Sequence, residues 1–125
     1  MAIRRRKTTK ERGINAPILA LHVEEEVRRL KAEPEWKSGS EDGITLAKYP
    51  HMRVVLVALR KGKSMHEHKV KGPMSLFVVS GKISLIVGHS ELQLRKKGLF
   101  TLRKAILHDV RALVDSVIML TIMAL

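Results

Sequence analysis

From Ile44 onward the apolar residues fall into short runs, several of them alternating with polar ones and each closed by a turn signal. The runs are Ile44 to Tyr49, Met52 to Leu59, Met74 to Val79, Lys82 to Val87, Glu91 to Leu94, Leu99 to Leu102, Ile106 to Val110 and Val117 to Met123. Between them stand Pro50-His51, Lys61-Gly62-Lys63, Gly72-Pro73, Ser80-Gly81, Gly88-His89-Ser90 and Lys96-Lys97-Gly98, residue types that tight turns use. About eight to ten short strands in so little chain predict an all-β sandwich or barrel.

Before Ile44 the period changes. Leu19, Val23, Val27 and Leu30 recur at helical spacing, with Glu24 and Arg28 placed for an i,i+4 pair. An amphipathic helix is predicted over Ile18 to Ala32, stopped by Pro34, and Glu33 to Gly43 reads as a connection rich in breakers. Further upstream, Arg4, Arg5, Arg6, Lys7, Lys10 and Arg12 form a basic arm with almost nothing apolar to bury. Residues 1–43 are therefore expected to be arm, helix and connection, and 44–125 the barrel.

Composition narrows the chemistry. With 125 residues one domain is expected, large enough to bury a core without staples. There is no Cys, so disulfides, thiolate metal sites and cysteine nucleophiles are excluded and any metal must be held by nitrogen and oxygen. No signal-type apolar stretch follows the basic start, and no run approaches the ~18 apolar residues of a membrane helix, so a cytoplasmic protein with no membrane partner is expected. The formal charge of +12 admits attraction to phosphate, yet Trp36, Tyr49, Phe77 and Phe100 are the whole aromatic complement. That is too few for a base-stacking platform, so nucleic acid is not the expected partner.

The histidines are the candidate chemistry. In a strand, His66 and His68 of Met65-His66-Glu67-His68 point to one face, about 7 Å apart at Cα, with Glu67 on the other. His108 from a facing strand would complete a trio of neutral imidazoles, the set that catalytic metal sites often use with positions left open. Glu67 and Asp109, alternating with these histidines, are expected to face outward. His22, His51 and His89 read as solvated residues, and Tyr49 as packing at a strand end. Met52, Met65, Met74, Met119 and Met123 read as core filler or soft pocket lining.

The path from Gly62 through the His-x-His strand, a Gly-Pro bend, Gly81, Gly98 and the late His108 resembles the cupin superfamily of jelly-roll barrels. Its first motif, G(x)5HxH(x)3-4E(x)6G, is similar to Gly62 through Gly81, and its second, G(x)5PxG(x)2H, to Gly98 through His108. The departures are specific. Gly62 lies four residues before His66, Met74 stands where the family has its glutamate ligand, and Arg103 to Leu107 lack the second motif's proline and glycine. The resemblance implies a three-histidine site for a divalent ion (zinc, iron, nickel or manganese) and a small-molecule ligand within the barrel. Phe77, Val79, Leu85, Phe100 and Leu107 are the candidate pocket walls. Three functions follow as expectations: a metal-dependent binding barrel, a metal-dependent oxygenase or isomerase, or a module tethered to an acidic partner or nucleic acid by its basic arm. The apolar run Val117 to Leu125 adds an expected homodimer.

Overall fold

The computed structural model describes residues 13–67, 72–104 and 108–123, with the side chains of His66 and Glu67 outside that description. Two short helices, α1 (Val23–Lys31) and α2 (Pro34–Lys37), precede nine strands. The strands are β1 (Asp42–Lys48), β2 (Met52–Leu59), β3 (Ser64–Glu67), β4 (Met74–Ser80), β5 (Lys82–Val87), β6 (Ser90–Arg95), β7 (Leu99–Leu102), β8 (His108–Ala112) and β9 (Ser116–Met123). They form a five-stranded sheet in the order β1-β2-β9-β4-β7 and a four-stranded sheet in the order β3-β8-β5-β6. Every pairing is antiparallel. Chain neighbours cross between the sheets, as β2 to β3 and β4 to β5 do, which is the jelly-roll path.

Alternation explains where the core lies. Met74, Leu76 and Val78 of β4, Ile118 and Leu120 of β9, Ile83 and Leu85 of β5 and Val110 and Ala112 of β8 all turn into the space between the sheets. That interior is apolar and close-packed. Each fully buried side chain of this size contributes about 1.5–3 kcal/mol relative to exposure. The five-stranded sheet is buried on its other face too, where Ile44, Leu46, Leu56, Ala58 and Val117 pack under Leu30 and Trp36. Burial on both faces is why β2 and β9 read as continuous apolar runs rather than alternating ones. The apolar C-terminal run from which pairing between copies was expected is thus used inside the chain, as the central strand β9. Phe77 and Val79 are corrected for the same reason: they alternate with the core residues of β4, and Val79 packs on the helix side rather than lining the barrel.

The N-terminal elements differ from expectation in three ways. The helix begins at Val23, not Ile18, because residues 18–22 run extended: Leu19, Leu21 and Val23 are half-buried while Ile18, Ala20 and His22 are exposed, a period of two. Glu24, Glu25 and Glu26 then occupy the first turn and Arg28, Arg29 and Lys31 the last, each sign matched to the helix dipole. The ion pair that forms on this helix is Glu26 with Arg29, at 3.6 Å, in place of Glu24 with Arg28. Glu26 lies on the sheet-facing side, 2% exposed, where Glu24 is open to solvent.

Pro34 does more than end a helix. It opens α2 at the first helical position, where its missing N–H costs nothing and its fixed φ is suited. That single turn seats Trp36, 7% exposed, against the sheet. Strand β1 starts at Asp42, two residues before the predicted edge. The basic arm lies outside the described residues.

Gly81 shows why one turn tolerates no other residue. Its φ is +90°, and a Cβ there would lie 2.6 Å from the carbonyl oxygen of Asp115. Close approach is forced because Ser116 Oγ accepts the Lys82 N–H at 3.0 Å and donates among nearby carbonyls, tying the β4–β5 turn to the start of β9.

Candidate metal and ligand site

Of the three candidate histidines, His108 on strand β8 is the one whose side chain is described. His108, Val110 and Ala112 are buried while Asp109 is half-buried and Arg111 exposed, so His108 enters on the same face as the core residues. It is 2% exposed, and its ring meets Phe100 of β7 at 6.5 Å between centroids, tilted by 47°. Phe100 packs against the barrel core, as does Leu85, two of the predicted walls; Leu107 lies outside the described residues. Asp109 takes the opposite face, as expected from alternation.

Strand β3 lies alongside β8 as its antiparallel partner. Its register pairs Ser64 with Arg111, Met65 with Val110, His66 with Asp109 and Glu67 with His108. Met65, 1% exposed, joins the core, as its buried partner Val110 does. Directly opposed positions of an antiparallel pair share a face, so position 67 is the cross-strand neighbour of His108 and position 66 that of Asp109. The sequence reading carried the strand through His68, but β3 ends at Glu67 and His68 lies outside the described residues. The signal for this register was present in Met65, an apolar residue adjacent to His66 that competes for the inward face.

Met74 begins β4 with 3% exposure, paired with Leu102 and Ile122 inside the core. A thioether there supplies no hard ligand for a divalent ion, so the carboxylate corner of a four-ligand site is missing. Among the described residues no group of three His, Asp or Glu is gathered for a metal. His22, His51 and His89 are all exposed; His89 lies in the β5–β6 turn, two residues after Val87, the cross-strand partner of His108.

A second concavity lies at the start of β4. Pro73, Met74, Ser75, Thr101, Leu102, Arg103, Thr121 and Met123 line an open apolar cleft of about 420 Å³. Two of the predicted soft methionines thus sit in or beside a pocket. No helix among the described residues is long and apolar enough to cross a membrane.

No family model matches the sequence. No curated protein matches it either. In structure the chain is similar to a salicylate 1,2-dioxygenase from Pseudoaminobacter salicylatoxidans solved with gentisate adducts, at a TM-score of 0.72 and 16% identity, covering 87% of this chain and 34% of that one. It spans about a third of that enzyme. It is also similar to a cupin-2 domain protein from Shewanella frigidimarina (TM-score 0.65, 10% identity, 84% and 95% of the two chains). A cupin superfamily protein from Desulfitobacterium hafniense gives a TM-score of 0.64 at 12% identity, over 68% and 78%. These likenesses establish the fold: two facing sheets in cupin order, with a short helical layer added on the outside of the larger one.

Proposed function

We propose that this cupin barrel holds a divalent metal ion at the end where β3 meets β8, with His66, His68 and His108 as its ligands, and binds a small molecule beside it. The observation that supports this reading is His108: a buried histidine aligned on the core face of β8, opposite the last residue of β3. Directly opposed Cα atoms in such a pair are about 4.5–5.5 Å apart, which puts the backbone of residue 67 beside that of His108. Each histidine would offer one neutral ring nitrogen, and the other would need a hydrogen-bond acceptor to fix its tautomer. With Met74 in place of a carboxylate the ligand set is neutral, which lowers affinity and leaves coordination positions open.

The register makes Glu67 the rival donor, and the test separates the two. Untagged protein is titrated with Zn²⁺, Fe²⁺, Ni²⁺ and Mn²⁺ while its melting temperature and metal content are followed. The expected result is stoichiometric uptake of one ion, weakened at least about tenfold by His66→Ala and by His108→Ala and retained by Glu67→Gln. Loss on Glu67→Gln with retention on His66→Ala replaces the ligand set. No uptake by the unaltered protein refutes the proposal.

The likeness to a gentisate-bound dioxygenase favours an oxygenase as the second reading. Oxygen consumption by iron-loaded protein with gentisate is its test, and none at any iron occupancy removes it. The same proposal includes a homodimer formed through a sheet edge, of which β7 offers Leu99, 61% exposed. Sedimentation showing monomer alone at micromolar concentration removes that part.

A further inference from the structure

The cleft at the β5–β6 end of the four-stranded sheet is built for charge. It holds about 580 Å³ and is lined by Lys82, Gln93, Leu94, Arg95, Lys96, Lys97 and Gly98, with four cations and no acid among them. Lys82 and Arg95 are direct cross-strand partners. Like charges in that position destabilise a sheet, and no ion pair among the described residues relieves them. The acids nearby in the fold are engaged elsewhere. Glu91, on the same face of β6, accepts from Ser84 Oγ at 2.6 Å, and Asp115, beside the Ser116 that binds the Lys82 backbone, is held by Arg60 and Lys61.

The turn that carries Lys96 and Lys97 departs from stability a second time. Lys97 has φ +70°, the single described non-glycine residue in the left-handed region. A lysine there carries strain that glycine or asparagine would avoid. The turn is nevertheless fixed: Gly98 N–H donates to Arg95 O at 2.8 Å, Lys97 N–H to Val78 O at 2.7 Å and Val78 N–H to Gly98 O at 2.9 Å. Strain and repulsion that converge on one rigid cleft point to a ligand that offsets both. Four converging cations select multiple negative charge, and the absence of any aromatic from the lining argues against stacked bases.

We propose that this cleft binds a small anion carrying two or more phosphate groups, independently of any metal in the barrel. Lys82 and Arg95 would flank the phosphates from the sheet while the fixed turn presents Lys96 and Lys97. The experiment is isothermal titration of the full chain with inorganic triphosphate at several salt concentrations. The expected outcome is saturable one-to-one binding that weakens with salt and falls at least about tenfold in Lys96→Gln/Lys97→Gln, with Arg28→Gln/Lys37→Gln, on the helices, unchanged. Lys97→Gly should weaken binding severalfold and raise the melting temperature, since it removes charge and strain together. Equal loss in the helix variant, no saturation, or undiminished binding by Lys97→Gly overturns the proposal. So does tighter binding of a random DNA duplex with the same dependence on Lys96 and Lys97, which would make the cleft a nucleic-acid surface.

Discussion

At Gly81 the chain's tolerance is set by one missing carbon, because the backbone there is left-handed and the Asp115 carbonyl and Ser116 lie against it. Gly81→Ala is therefore expected to cost more than about 2 kcal/mol, read as a drop in denaturant midpoint with the slope unchanged. Gly62 and Gly88 also have positive φ but face open space, so alanine at either should cost less. Asp115 gives a pH prediction. The Lys61 N–H, 2.8 Å from its carboxylate, and then the Arg60 guanidinium at 3.1 Å hold it below the ordinary carboxylate value. A carboxyl whose folded value is lowered stabilises the protein fully above its unfolded value, near 4, and that contribution disappears as pH falls through the lower folded value. Asp115 is 50% exposed and its pairing partly screened, so the effect is at most about 1 kcal/mol. Asp115→Asn should narrow the stability difference between pH 7 and pH 3. An unchanged difference would show that other carboxylates govern acid unfolding.

Helix α2 is one turn long, yet it seats the chain's single Trp. Arg60 stacks on the Trp36 ring at 3.6 Å, donates to the Trp36 carbonyl and pairs with Asp115, so α2, the end of β2 and the start of β9 meet in one cluster. Trp36→Ala is expected to cost about 3–5 kcal/mol, since it opens the apolar layer beneath α1 as well as removing the stack. Thermal melts of this variant beside Arg60→Ala would separate the parts. If the Arg60 variant loses as much as the Trp36 variant, the guanidinium rather than the indole organises the cluster. Strand β9 shows the opposite economy. Between β2 and β4, with Ile118 and Leu120 on one face and Val117 and Met119 on the other, it has no solvent side until its end.

For the molecule as a unit, the larger sheet lies between two apolar layers while the smaller one covers only the barrel. Amides of β2 and β9 are thus expected to exchange last in native-state hydrogen exchange, and those of β6, exposed along most of its length, among the first. Equal protection of β6 and β9 would contradict this layering. Burial follows the same division: His108 is buried at the start of β8, whereas the β5–β6 cleft is open and strongly basic.

Strand positions, turns and the barrel class are local properties, and alternation with glycine and proline punctuation determined them in the sequence by itself. Every predicted run became a strand within a few residues. What lies on each face is not local. The apolar run of β9 fits an interface between copies or a doubly buried centre equally well, and only the strand order, with α1 and α2 laid over the sheet, decided for the centre. The same holds for the histidines. Spacing placed His66 and His68 on one face of an isolated strand, but pairing with β8 is set by which residue next to His66 enters the core, and Met65 does. Lys82 and Lys97 are unremarkable in a chain of net charge +12, and it took the β5–β6 pairing and a left-handed turn to bring them to one cleft.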